Sequence, residues 1–387
     1  MLTHEYYKFM ATKLIFASTL DSDMRYAVKT KITSSFFYLE IGKSSKDGSA
    51  AGGKYALLDR VDLGIIPKKA KIISVPLNPL SVEAKKLKFK TSDRNKLAYY
   101  ILKKYGLMGK TVEVPIHFPL DMADFLRKYG AKLIPTFPLF PGRAVKKKEE
   151  IGYIKESLAH TKLVFQTIEN ILQKSKIRGN SIFFKKKVLT SEFLKQVAEK
   201  TLFERGMFDV LGMIISSGAQ STVPHHAGSG PILPHQPIVC DIFPRHRKNG
   251  YFADMTRTYV KGKPSLEIQK MYNAVLKAQN AVMKKISAGI SAKEVCNVAA
   301  EVILKNGYHV GDTGFIHGLG HGVGLDIHEK PSLKPGSVDI LEVGNIVTVE
   351  PGLYYPRVGG IRLEDMVLVT KNGCQNLTKY SKKLIIT

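Results

Sequence analysis

Residues 1–140 carry short runs in which apolar and polar positions switch between a period of two and a period near 3.6. Ser34-Ser-Phe-Phe-Tyr-Leu-Glu-Ile and Lys54-Tyr-Ala-Leu-Leu-Asp predict strands, with a polar Gly/Ser/Lys loop over 42–53 between them. Lys71-Ile-Ile-Ser-Val and Thr111-Val-Glu-Val-Pro-Ile predict two more. Asp93 to Lys104 puts Leu97, Tyr100 and Ile101 on one helical stripe, and Met122 to Tyr129 also reads as a helix. Nothing here gathers histidines, cysteines or carboxylates into a site.

The pattern changes near 137–150. Phe137-Pro-Leu-Phe-Pro-Gly is rich in turn residues and Lys146-Lys-Lys-Glu-Glu is a charge run, together marking a boundary. Beyond it, Ile151, Ile154, Leu158, Val164, Ile168, Ile171 and Leu172 predict a long amphipathic helix ending between Lys176 and Gly179. A second helix is expected from an N-cap at Ser191 to Gly206. Val197-Ala-Glu-Lys-Thr-Leu-Phe-Glu-Arg-Gly and Val298-Ala-Ala-Glu-Val-Ile-Leu-Lys-Asn-Gly align without a gap. Each reads as a helix closed by a glycine. If the match is a true repeat, two similar α/β halves face each other with a site between them.

Composition narrows the class. A chain of 387 residues suggests two or three domains, and 44% hydrophobic residues exclude disorder as the main state. The longest apolar runs, Val210-Leu-Gly-Met-Ile-Ile and Met366-Val-Leu-Val, are far short of a membrane span. Lys13-Leu-Ile-Phe-Ala-Ser-Thr-Leu lacks the charged front and cleavage site of a signal peptide. Three cysteines give no disulfide framework, so a reducing cytoplasm is the expected location. A formal charge of +26 raises the question of an anionic partner. No basic stripe interleaved with aromatics accompanies it, which counts against nucleic acid.

The candidate chemistry lies between 225 and 364. Eight of the eleven histidines fall between 225 and 328. Val239-Cys-Asp-Ile-Phe and Tyr251-Phe-Ala-Asp-Met-Thr-Arg-Thr-Tyr-Val read as a hairpin. A turn centred between 247 and 248 sets Asp241 across from Asp254, although Asn249-Gly250 could set another register. Two carboxylates that close need a proton or a cation between them. Phe315-Ile-His-Gly-Leu-Gly-His-Gly-Val-Gly-Leu-Asp-Ile-His-Glu delivers His317, His321 and His328 from a glycine-rich loop and strand. Glu350 closes the apolar run Ile346-Val-Thr-Val, and Glu364 precedes Met366-Val-Leu-Val. Asp241, Asp254, His321, Glu350 and Glu364 sum to −4, which two divalent cations neutralise. Oxygen donors with one imidazole suit Mn, Fe, Co or Zn, and paired metals polarise carbonyls and activate water.

At these residues the chain closely resembles the metal-dependent Xaa-Pro peptidases of pita-bread fold, a family that also holds methionine aminopeptidases and creatinase. The resemblance implies an N-terminal creatinase-like α/β domain over 1–142 and a pseudo-twofold pita-bread catalytic domain over 143–387. It implies that Asp241 chelates one metal, that Asp254 and Glu364 bridge two, and that His321 and Glu350 hold the other. His225, adjacent to the confusable His226, matches a substrate-side histidine. His317 and His328 match the pair facing the scissile carbonyl and the leaving nitrogen, and Arg362 an arginine beside the metals. Two divalent ions are expected, Mn favoured over Co, Zn or Fe, in a homodimer acting on peptides with proline second. The implied reaction is attack on the carbonyl by a water activated between the metals. A histidine, His317 or His328, helps stabilise the oxyanion, and Glu350 relays the proton to the leaving nitrogen. The chain departs from the pattern at Phe243, where glycine is usual, and in an Asp241-to-Asp254 interval two residues longer than is common. Methionine aminopeptidase activity and a non-catalytic binding module are the alternative readings. The first is disfavoured by the long N-terminal region and the second by the five intact ligands.

Overall fold

A computed structural model describes residues 11–42 and 52–387. The chain divides into two compact units, 1–141 and 142–387. The loop expected over 42–53 lies almost wholly outside the described residues.

The first unit is built on a six-stranded sheet of order β4-β3-β2-β1-β5-β6. Its strands are β1 (Lys13–Ala17), β2 (Phe36–Ile41), β3 (Gly53–Leu58), β4 (Ile73–Pro76), β5 (Thr111–Pro115) and β6 (Lys132–Thr136). β2 is buried along its whole length because both faces of the sheet are covered. Phe37, Leu39 and Ile41 pack with Leu97, Ala98 and Ile101 of α3 (Asp93–Lys104), with Leu80 of α2 (Leu77–Lys85) and with Met122 of α4 (Leu120–Lys128). Phe36 and Tyr38, pointing the other way, pack with Met24 and Val28 of α1 (Ser22–Val28). The period-two reading of this strand is thus two half-cores, one per face.

Among the described residues the second unit contains two helix pairs, two larger sheets and three small ones. The first half holds α5 (Lys148–Lys174) packed against α6 (Ser191–Glu204). A small sheet of β7 (Lys176–Arg178), β8 (Ser181–Phe184) and β9 (Lys187–Val188) joins these helices. Next come β10 (Met207–Phe208), β11 (Ile214–Ser217), β12 (Ile238–Ile242), β13 (Arg245–His246) and β14 (Met255–Lys261). The second half repeats the plan with α7 (Leu266–Lys285) packed against α8 (Ala292–Lys305). It continues with β15 (Gly320–Gly322), β16 (Glu329–Leu333), β17 (Ile346–Val349), β18 (Gly352–Tyr355), β19 (Gly359–Arg362), β20 (Asp365–Thr370), β21 (Gly373–Asn376) and β22 (Ile385–Ile386). The sheets run β11-β12-β14-β22 and β16-β15-β17-β20-β21. The two helices aligned in the sequence are α6 and α8, and both end at glycines of positive φ, Gly206 and Gly307. Ser191 is the first helical residue of α6 and not its cap. Thr190 accepts from the N–H of Phe193, while the Ser191 hydroxyl donates to the carbonyl of Ile215.

The hairpin register differs from the expected one. Asp241 pairs with Thr256, and Ile242 with Met255, so Asp254 is not directly opposite Asp241. Gly250 at φ +83 closes the tip, with its N–H on the carbonyl of His246. This shifts the pairing by two residues. A shift of two keeps each side chain on its original face, so Asp254 stays on the Asp241 face as a diagonal neighbour.

His246 fixes the tip. Its Nδ1 accepts from the backbone N–H groups of Lys248 and Asn249, at 3.1 and 3.3 Å. Burial holds its pKa below the ordinary 6.5, with Glu156 opposing and His160 reinforcing the shift. The unfolded chain therefore takes up this proton at higher pH than the fold does. Stability from His246 is complete above the ordinary value and is lost as pH falls below it. We expect the thermal midpoint to decline as pH falls below the ordinary histidine value of about 6.5. His246→Asn, which keeps an acceptor but does not titrate, should flatten that decline. An identical slope in the variant would reject this account.

Candidate metal centre

The two larger sheets of the second unit meet at the ends of β14, β17 and β20. The β17–β20 ladder ends at Val349 opposite Asp365, and extending it by one position sets Glu350 opposite Glu364. The N–H of Glu364 donates to the carbonyl of Thr256 on β14, two residues along from Asp254. His321 enters from β15, whose neighbour β17 approaches closely. A Cβ on Gly320 would collide with the carbonyl of Thr348, and one on Gly322 with the carbonyl of Lys330. The glycines on either side of His321 let the strands close around it.

All five expected ligands line one cleft of about 590 Å³ in the second unit, together with His225, His317, His328 and Arg362. That volume suits a small ligand. Ligand atoms of Asp254, His321 and Glu364 lie within 4.8 Å of one another. His321 Nε2 is 3.2 Å from Glu350 Oε1 and 3.7 Å from Asp254 Oδ2. Thr256 donates to Glu364 Oε2 at 2.8 Å, and Thr348 to Glu350 Oε1 at 3.1 Å. Arg362 Nη2 donates to Asp241 Oδ2 at 2.7 Å. His225 is on the cleft wall, whereas His226 Nδ1 accepts from the N–H of Gly228, which separates these neighbours. Phe243, at the position where the sequence departs from the family pattern, is also on the wall.

The hydrogen bonds assign the tautomers. The carbonyl of Gly322 can only accept, so His321 Nδ1 donates to it at 3.1 Å and Nε2 faces the carboxylates. The carbonyl of Gly318 likewise takes the Nδ1–H of His317 at 2.7 Å. Burial lowers the pKa of His317, so its Nε2 is an acceptor. The Tyr354 hydroxyl donates to it at 3.0 Å and accepts from Arg362 Nη1 at 2.7 Å. Tyr354 thus ties His317 to the arginine that orients Asp241. Sequence reading did not identify Tyr354, Thr256 or Thr348.

The carboxyl groups repel one another. Burial, and then the charge of Asp241, raises Asp254 well above the ordinary carboxylate range. Burial and Asp254 do the same to Glu364. Burial also raises Asp241, against the pull of Arg362. Glu350 behaves oppositely: burial would raise it, but the hydrogen bond and charge of His321 bring it to about 2. Burial opposes charge on His321, and Glu350 overrides it, lifting the imidazole to about 9.

The profile of metallopeptidase family M24 matches residues 153–371. The chain belongs to metallopeptidase family M24. A Xaa-Pro dipeptidase of Pyrococcus furiosus is 36% identical over 87% of this chain and 90% of its own. The prolidase of Pyrococcus horikoshii OT3 superposes with a TM-score of 0.74 at 26% identity, over 97% of this chain and 95% of that one. A Xaa-Pro dipeptidase from Bacillus anthracis shares the fold at a TM-score of 0.77 and 24% identity, over 99% and 96% of the two chains. A family M24 chain of pita-bread architecture implies divalent metal ions, and the residues present fit them. Asp241 Oδ1 and Glu364 Oε1 are buried without a hydrogen-bond partner. Such atoms are costly to leave bare, and a cation amid the acidic cluster would satisfy both. Among the described residues no helix is long and apolar enough to cross a membrane.

Tyr354→Phe removes one hydroxyl and two hydrogen bonds. We expect kcat on an Xaa-Pro dipeptide to fall about 10–100-fold, as is usual for groups that orient a metal site's residues. A loss of less than about twofold would show that Tyr354 does not position His317 and Arg362.

Proposed function

We propose that this protein is a metal-dependent Xaa-Pro dipeptidase. One observation carries the reading: Asp241, Asp254, His321, Glu350 and Glu364, drawn from two sheets, converge in one cleft with two carboxylate oxygens left bare. The 36% identical Xaa-Pro dipeptidase, matched over most of both chains, supports the substrate class. In this reading Asp241, Asp254, His321, Glu350 and Glu364 hold two divalent ions, with Mn favoured. Ions bound there would polarise the scissile carbonyl and make water a competent nucleophile at neutral pH.

The chain's own groups perform the rest. Glu350 is ionised and held by Thr348, so it can take the proton of the attacking water and pass it to the leaving nitrogen. The nitrogen of an Xaa-Pro bond carries no hydrogen, which makes that delivery necessary for release. Both nitrogens of neutral His317 are committed, to Gly318 and Tyr354. His328, whose ring meets His321 edge-on at 4.2 Å, is therefore the better placed of the two to face the developing oxyanion. His225 orients the substrate, and Arg362 holds Asp241. The same reading takes the first unit as a creatinase-like domain and the protein as a cytoplasmic homodimer.

The test is hydrolysis of Ala-Pro beside Met-Ala-Ser, with metal removed by a chelator and then restored. Ala-Pro should be cleaved, activity should vanish on verified metal removal, and Mn²⁺ or Co²⁺ should restore it. Full activity without metal, or cleavage of Met-Ala-Ser alone, would overturn the proposal.

A further inference from the structure

One side chain of the second unit is polar where its surroundings are not. Gln279 is fully buried on α7, flanked along that helix by Val275, Ala278 and Val282 of the apolar core. Its amide nitrogen donates to the carbonyl of Val349 at 2.9 Å and to that of Leu363 at 3.1 Å. Both partners can only accept, so the nitrogen faces them, and Oε1 is left buried without a partner. An apolar side chain of the same length would avoid that penalty. What Gln279 contributes is its pair of donors.

The two carbonyls stand at a break in a ladder. The β17–β20 pairing ends at Val349 opposite Asp365, and the β18–β19 pairing resumes in the same register at Gly352 opposite Arg362. Glu350 and Glu364 lie inside the break. There the N–H of Leu363 reaches the carbonyl of Pro351 at 3.5 Å, but proline has no N–H to return to the carbonyl of Leu363. Gln279 supplies that donor from the helix. The N–H groups of Glu350 and Glu364 donate to the carbonyls of Leu319 and Thr256, at 2.9 and 3.1 Å. The peptide group that leads into each glutamate is therefore held at both ends, by its carbonyl and by its N–H.

We propose that Gln279 is a positioning residue for the metal centre: its amide replaces the ladder bond that Pro351 cannot make and so fixes the spacing of Glu350 and Glu364. The inference rests on the metal-holding roles given to those residues above. A constellation of this kind works only within about 0.5 Å of its proper geometry. Without the amide, two carbonyls lose their donor in an apolar core, and the strands that carry both carboxylates shift to relieve it.

The test is calorimetric titration of Mn²⁺ into the metal-free full chain. Gln279→Met keeps the length and removes both donors. It should weaken Mn²⁺ binding about 10–100-fold, the usual result of losing a group that orients metal ligands. Val282→Ala, one turn along the same helix face, opens a cavity but removes no donor. It should lower the thermal midpoint and leave Mn²⁺ affinity within about twofold of wild type. Adding Pro351→Ala to Gln279→Met returns an N–H opposite Leu363 and should recover part of the lost affinity. Should Gln279→Met not fold, Gln279→Glu takes its place; its protonated form keeps one donor, and binding should weaken by about threefold or more. Affinity within about twofold of wild type in the Gln279 variant, a loss no larger than that of Val282→Ala, or no recovery on adding Pro351→Ala would overturn the inference and leave the metal reading standing. A wild type that takes up no Mn²⁺ would overturn the metal reading and this inference with it.

Discussion

Asp254→Ala and Glu364→Ala should each lower Ala-Pro hydrolysis by at least about a thousandfold, the equivalent of some 4 kcal/mol of transition-state stabilisation, without unfolding the chain. Both side chains are buried amid the acidic cluster, and Glu364 keeps one oxygen without a partner. Their raised pKa values mean that the metal-free fold retains protons that the unfolded chain has released. Such groups subtract stability from the metal-free protein as pH rises above the ordinary carboxylate range. Removing one therefore relieves repulsion, and the thermal midpoint of the metal-free variants should stay at or above that of wild type. Added Mn²⁺ should raise the wild-type midpoint and raise that of the variants far less. Glu364→Gln keeps the shape and the bond from Thr256 and serves as the check on packing. Retained turnover in either alanine variant would reject these two residues as metal-holding groups.

The five residues that converge in the cleft were legible because each announces itself locally. A histidine between glycines, or a glutamate ending an apolar run, has few reasons to exist in a core. The helix from Asp93 to Lys104 was legible for a different reason, since a 3.6-residue stripe over twelve positions leaves little room for error. The hairpin register was less so. It depends on whether the turn centres between Lys248 and Asn249 or one position earlier, and the flanking alternation is the same in both cases. Thr190 and Ser191 are both good caps. Their roles were decided by the carbonyl of Ile215, which is remote in sequence. Tyr354 lies in Gly352-Leu-Tyr-Tyr, where nothing tells an inward hydroxyl in the wiring of His317 from an ordinary core tyrosine. Lysines were the least legible of all. In a chain with 59 basic residues, neither Lys334 on the cleft wall nor a buried Lys146 stands out from the solvated majority.

Lys146 carries the largest expected effect on stability. It opens the charge run that marks the boundary in the sequence, yet its side chain is 1% exposed. Its Nζ is 2.5 Å from Glu329 Oε1, while Arg143 Nη2 reaches Glu329 Oε2 and Asp326 Oδ2, each at 2.7 Å. These carboxylates flank Ile327 and His328, so the arginine and lysine pin the turn that presents His328 to the cleft. Lys146→Met leaves the buried Glu329 with one counter-charge in place of two. The expected loss is about 3 kcal/mol, the low end for breaking a buried ion pair. For a unit of this size that corresponds to a drop of roughly 6–12 °C in thermal midpoint. Adding Glu329→Gln should recover part of the loss, because a buried amide needs no counter-charge. The single variant should also lower kcat for Ala-Pro, with KM less affected, if His328 faces the developing oxyanion as proposed. A midpoint within about 1 °C of wild type would mean that the turn stands without the pair. Equal losses in the single and double variants would mean that the lysine acts through packing and not through charge.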